Sequence, residues 1–168
     1  MDSASVGREE CRSLRWRCGW RATVGFAADR CWWLAAASGL ALSAAGVRWL
    51  PGVLSSSRLQ GLGVWLSCVL WQPMLEEVFF RGILQRELLN LPWARRGWLG
   101  VSVANLLCSV AFSAAHIVHH PPLWAASVFL PSLLFGWMRE RHHGIGASIA
   151  LHSLFNLEFF VAAALVPL

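Results

Sequence analysis

The sequence predicts an all-α fold, a polytopic membrane bundle of about five spans with a cytoplasmic N-terminus. Three observations carry that expectation. The 168 residues are 57% hydrophobic, and charged residues reach 14%, against about 25% in soluble domains. Apolar runs near the length of a bilayer crossing alternate with short Pro-, Gly- and Arg-bearing segments. The arginines also fall mainly between alternate runs, as the positive-inside rule requires.

The elements follow in chain order. Residues 1–30 are polar and arginine-rich, and read as a cytoplasmic segment ahead of a membrane-embedded domain over 31–168. They are too long for the charged head of a signal peptide, and no small-x-small cleavage pattern follows. The first span covers 31–50 and stops at Pro51-Gly52. The second runs from about Gly61 through Phe80, and the pattern ILQRELL continues its helix to about Leu89. The third is expected from Trp98 to Val118, ended by His119-His120-Pro121-Pro122. The fourth, Leu123 to Met138, is shorter than the roughly 20 residues a bilayer asks for. The fifth runs from about Ile145 to Val166. With the N-terminus inside, Arg8, Arg12, Arg15, Arg17, Arg21, Arg30, Arg81, Arg86, Arg95, Arg96, Arg139 and Arg141 are cytoplasmic. Arg48 and Arg58 are left on the other side. Trp32, Trp33, Trp49, Trp93, Trp98 and Trp137 gather near span ends, where amphipathic rings sit in the interface.

Composition also excludes some classes. The net charge of +5 is broken up by apolar segments and expresses topology, so no nucleic-acid partner is expected. Cys11, Cys18, Cys31, Cys68 and Cys108 are odd in number and lack CxxC spacing, which argues against a disulfide framework or a structural zinc site.

Glu76 and Glu77 are the most informative residues, because charged side chains at membrane depth are costly unless partners or function compensate. Helical geometry separates them. Glu77 lies over Arg81, four residues on, and makes a natural ion pair with it, while Glu76 points about 100° away. Glu76 is thus left without a local cation and is a candidate general acid or base. Pro73, three residues earlier, is expected to kink the helix and loosen backbone groups beside the pair. Phe112 and His116 share a helix face, the ring bracing the imidazole. His152 and Asn156 repeat that spacing in the last span. They supply two donors toward one point, as an oxyanion site requires, or serve as polar glue between helices.

The three motifs in order, Glu76-Glu77-xxx-Arg81-Gly82, Phe112-xxx-His116 and His152-xxx-Asn156, resemble the CAAX-protease and bacteriocin-processing (CPBP) family of intramembrane proteases. The resemblance spans roughly 61–160. It implies a glutamate-type peptidase in which Glu76 and His116 activate water. His152 and Asn156 would then stabilise the oxyanion, with Glu77, Arg81 and Phe112 supporting the site. It also implies a membrane protein or peptide substrate, and the compact form resembles small members tied to protein sorting. A substrate with a C-terminal sorting helix in a bacterial cytoplasmic (inner) membrane fits that form. No cofactor is expected. A zinc-dependent metalloprotease is the alternative mechanism, disfavoured because HExxH is absent and Asn156 and Arg81 are poor ligands. A non-enzymatic immunity or scaffold protein is the alternative function.

Depth sets the sharpest expectation. At 1.5 Å per residue, His152 lies about 10 Å into its span and Glu76 about 15 Å from Arg86, but His116 about 27 Å from Trp98. The three meet only if the third span starts below the bilayer or tilts. Glu158 is expected on another face from His152. His119, His120, His142 and His143 are expected at interfaces rather than in the site.

Overall fold

The computed structural model describes residues 25–49 and 61–165. The expected cytoplasmic segment therefore lies outside the described residues up to position 24, as does the Pro51-Gly52 stop. The described chain is helical apart from one hairpin of two-residue strands and the turns that connect the elements.

Helix α1 (Arg30–Trp49) follows a short 3-10 turn, Phe26–Ala28. Asp29 caps it, its carboxylate accepting from the Cys31 amide at 3.0 Å, which satisfies one otherwise open donor. Asp29 also pairs with Arg141 and His142 from the far end of the chain. Hydrogen bonding from Arg141 outweighs desolvation and lowers the Asp29 carboxyl to about 2. Helix α2 runs without a break over 62–89. It alternates α-helical turns (Leu62–Leu66, Gln72–Glu77, Gln85–Leu89) with two π-helical stretches, Ser67–Trp71 and Val78–Leu84. Such π segments are rare and concentrate at functional sites.

Two of the expected spans need correction. The third helix, α3, is Val103–His116, not Trp98–Val118. Gly97–Trp98 instead pairs antiparallel with Val101–Ser102, around Leu99 (φ 53°) and Gly100 (φ 80°), the two positive φ values that a tight hairpin turn needs. Ser102 then caps α3, accepting from the Asn105 amide at 2.9 Å. The fourth span is not one helix but two, α4 (Pro122–Ser127) and α5 (Phe129–Arg141). Pro131 has no N–H to offer the carbonyl of Ser127, four residues earlier, and the chain breaks there. The last helix, α6 (Gly146–Leu165), matches its expected bounds to within a residue.

Helix α6 packs between α1 and α5. The main core joins Trp32, Ala35 and Ala36 of α1, Phe135 and Met138 of α5, and Ala147, Leu151 and Phe155 of α6. The Trp32 indole N–H donates to the Ala147 carbonyl at 3.1 Å. A second cluster joins Phe80 with Cys108 and Phe112. Between α2, α3 and α5 lies a polar layer. Gln85 donates to the Gly136 carbonyl (3.1 Å) and to Glu140 (2.7 Å), Ser102 donates to Glu140 (2.6 Å), and Asn105 donates to the Leu133 carbonyl (2.9 Å).

Large apolar side chains face outward on α1, α2, α3 and α6, among them Leu34, Leu70, Phe79, Val110 and Val161. Outward apolar faces of this extent belong against hydrocarbon rather than water. Among the described residues, Gly146–Leu165 is the one helix long and apolar enough to cross a membrane by itself. Helix α1 has the length, but tryptophan, serine, glycine and arginine dilute its apolar character. Helix α2 is interrupted by Glu76, Glu77 and Arg81.

At Gly136 α5 lies close against α3, since a Cβ there would collide with the Asn105 carboxamide. Gly136→Ala is expected to cost about 1–3 kcal/mol through overpacking, read as a lower thermal midpoint of the detergent-solubilised protein.

Candidate active site

The site is built on the middle of α2. Pro73 and Glu77 are buried there, on the side facing α5 and α6. Glu77 is sealed from solvent, and its Oε1 lies 3.2 Å from Nη1 of Arg81, one turn on and equally sealed. Arg81 Nη2 donates to the hydroxyl of Ser132 (2.6 Å) and to its carbonyl (2.9 Å). The guanidinium carbon lies 4.7 Å from the centre of the Phe112 ring. A buried cation is tolerated only with such compensation. The expected Glu77–Arg81 pair is thus present, with Ser132 as an anchor on α5.

The same Glu77 oxygen accepts from His152 Nδ1 at 3.0 Å. That bond puts the proton of the neutral imidazole on Nδ1 and turns Nε2 the other way. His152 Nε2 lies 3.7 Å from Glu76 Oε2. His152 therefore sits between the two glutamates, one sealed and one 33% exposed. Its ring stacks on Phe135 at 4.5 Å and 17°. Phe135 and Ser132 left no signal in the sequence, because an apolar and a hydroxyl residue on a helix are ordinary packing residues until their neighbours are known.

Phe112 is the hub of the apolar side. Its ring centre lies 4.6 Å from that of His116 and 5.8 Å from that of His152. His116 Nδ1 lies 2.8 Å from the Phe112 carbonyl. A carbonyl only accepts, so Nδ1 carries a proton, and in the neutral imidazole Nε2 keeps the lone pair. Asn156, one turn beyond His152, donates through Nδ2 to the Cys68 carbonyl at 2.8 Å.

Glu76, His116, His152 and Asn156 all line one cavity of about 920 Å³, together with Cys68, Phe112, Trp124 and Phe159. With α3 starting at Val103, His116 stands about 20 Å along it rather than 27 Å, and its end opens on the same space as Glu76.

His119 and His120, expected at an interface, also line the cavity, and His120 stacks on Trp124 at 3.9 Å. The turn at Pro121-Pro122 folds back to deliver them, which spacing along one helix does not reveal. His142 is tied to Asp29, away from this cavity. Glu158 lies off the cavity lining, at the place where α6 meets Gly39 of α1. Among the described residues no group of three or more His, Cys, Asp or Glu is arranged to hold a metal ion.

The comparison with known families matches residues 58–157 to the type II CAAX prenyl endopeptidase Rce1-like family. The chain belongs to this family. The match takes in all three motifs and leaves α1 outside it. No curated protein and no solved structure matches the chain. Membership in the Rce1-like family, part of the CPBP group, makes this an integral membrane protein and a member of a peptidase family.

The Ser132 hydroxyl is the shortest contact of the buried guanidinium. Ser132→Ala is expected to destabilise this Rce1-like chain by about 1–3 kcal/mol, the cost of a buried donor losing a partner. Thermal unfolding followed by tryptophan fluorescence measures it.

Proposed function

We propose that the chain is an intramembrane endopeptidase of the glutamate type, and that Glu76 is its base. The observation that carries this reading is the unequal environment of the two glutamates around one imidazole. Glu77 is sealed and committed to Arg81 and His152, whereas Glu76 opens on the cavity. A general base must reach its proton, and of the two only Glu76 does.

In the proposed reaction Glu76 takes a proton from water, and the lone pair on His116 Nε2 accepts a hydrogen bond from the same water. The hydroxide adds to the scissile carbonyl carbon and forms a tetrahedral oxyanion. Asn156 Nδ2–H and protonated His152 Nε2–H donate to that oxyanion; His152 donates from Nε2 only as the imidazolium, since its Nδ1–H is held by Glu77. Collapse breaks the C–N bond, and the proton held by Glu76 passes to the departing amine. Water is consumed and an acid and an amine are released.

Five spans with the N-terminus in the cytoplasm give the topology we assign, from the arginine distribution. The substrate is a membrane-anchored protein or peptide whose extended segment enters the cavity beside α1 and α6. Two anchors suit this reading: a prenylated C-terminal cysteine motif, as the family's description names, or a C-terminal sorting helix followed by arginines. A bacterial cytoplasmic (inner) membrane is the location we propose.

Glu76→Gln and Glu77→Gln separate the roles. Reconstituted protein is presented with internally quenched peptides carrying either anchor, and products are identified by mass spectrometry. Glu76→Gln is expected to lose about 10²–10⁴-fold in rate with its thermal midpoint unchanged. Glu77→Gln is expected to lose about 3–5 kcal/mol of stability, because Arg81 is left buried without its carboxylate. Full biological function in Glu76→Gln would instead favour a non-enzymatic binding protein.

A metal-free reaction is part of the proposal. It rests on residue chemistry, since HExxH is absent from the sequence and Asn156 and Arg81 are poor zinc ligands. Activity is expected to survive exhaustive chelation, with substoichiometric zinc by elemental analysis. Loss on chelation and recovery with zinc would overturn it.

A further inference from the structure

Asn156 is aimed by a backbone carbonyl, Cys68 O, that ordinary helix geometry would have occupied. A π-helical turn pairs a carbonyl with the amide five residues on, and in the stretch Ser67–Trp71 the Gln72 amide accordingly donates to Ser67 O. The π partner of Cys68 O is therefore residue 73, which is proline and has no N–H. The α-helical partner of Cys68 O is Gln72, whose amide is already engaged with Ser67 O. Both in-helix donors are thus denied to this carbonyl. A carbonyl left open at membrane depth is costly and demands another donor. Asn156 Nδ2 supplies it at 2.8 Å from α6.

We propose that Pro73 is a positioning residue for the catalytic asparagine, acting through the vacated Cys68 carbonyl. One amide hydrogen of Asn156 is spent on that carbonyl, which fixes the plane of the carboxamide and leaves the second hydrogen for the cavity, which Cys68 and Asn156 both line. Pro73 itself is buried on the inner side of α2, one turn before Glu77. A single proline thereby links the α2 backbone, which carries Glu76, to the α6 side chain that faces the oxyanion. The proposal rests on the reading of Asn156 as an oxyanion donor.

The experiment uses Pro73→Ala in the full-length protein in nanodiscs. Restoring the N–H at 73 gives Cys68 O an in-helix donor and frees the carboxamide. Asn90, Asn105 and Asn156 are the chain's asparagines, so ¹⁵N-asparagine labelling reports the side-chain amides directly. Asn90, which donates to Glu87, and Asn105, which donates to Leu133 O, serve as internal references. The expected result is a shift and faster solvent exchange confined to the Asn156 amide pair. With whichever anchored peptide the wild type cleaves, kcat is expected to fall about tenfold and KM to stay within about twofold. On an Asn156→Ala background Pro73→Ala is expected to cost nothing further, as for two residues acting as one unit.

An unchanged Asn156 amide overturns the proposal. So does a lowered thermal midpoint with kcat unchanged, which is what a merely structural proline would produce. Wild-type activity in Asn156→Ala overturns the oxyanion reading instead, and the amide signals alone then decide whether the carbonyl holds the carboxamide.

Discussion

The rest of the structure depends on the ion pair between Glu77 and Arg81. Neither residue is exposed, and the pair is closed off by Ser132, Phe112 and His152. Each partner draws in a different helix: Ser132 comes from α5, Phe112 from α3 and His152 from α6. A buried charge pair contributes little net stability, because desolvation offsets attraction. What it does impose is geometry, since buried charges call for polar and aromatic partners in fixed places. Here that demand assembles three helices around α2 and leaves His152 facing Glu76.

The backbone of α2 supports this arrangement in a second way. Its two π-helical stretches bracket the glutamates, and each exposes a carbonyl to another helix. Cys68 O takes Asn156 of α6, and Phe80 O takes the Cys108 thiol of α3 at 3.0 Å. Irregular backbone at membrane depth is admissible only where protein groups or a cavity satisfy it. The irregularity and the site are therefore one construction: Asn156 of α6 takes the place of an in-helix amide at Cys68 O, and the Cys108 thiol of α3 adds to the Gln85 amide at Phe80 O.

Much of the candidate site was legible because helical spacing is a local property. Glu77 over Arg81, Phe112 over His116 and His152 over Asn156 follow from residues four apart sharing a face. The corrections have local causes that were present in the chain but outweighed by apolar composition. Gly97, Gly100 and Ser102 form a hairpin and a helix cap before α3, and Pro131 divides α4 from α5. The cavity-lining His119 and His120 were not legible, since a turn's direction depends on what it folds back against.

By itself, the sequence determined the helical class, the order of the main helices, the family's three motifs and which of two adjacent glutamates pairs with Arg81. All of these rest on composition, on period or on contacts within one turn. The tertiary structure alone decided that His152 bridges both glutamates, that Ser132 and Phe135 complete their shell, and that Asn156 answers an open carbonyl on α2. Those are pairings between residues from 17 to 88 positions apart in the chain. No periodicity encodes such distances; they are set by which buried polar groups remain to be satisfied once the helices pack.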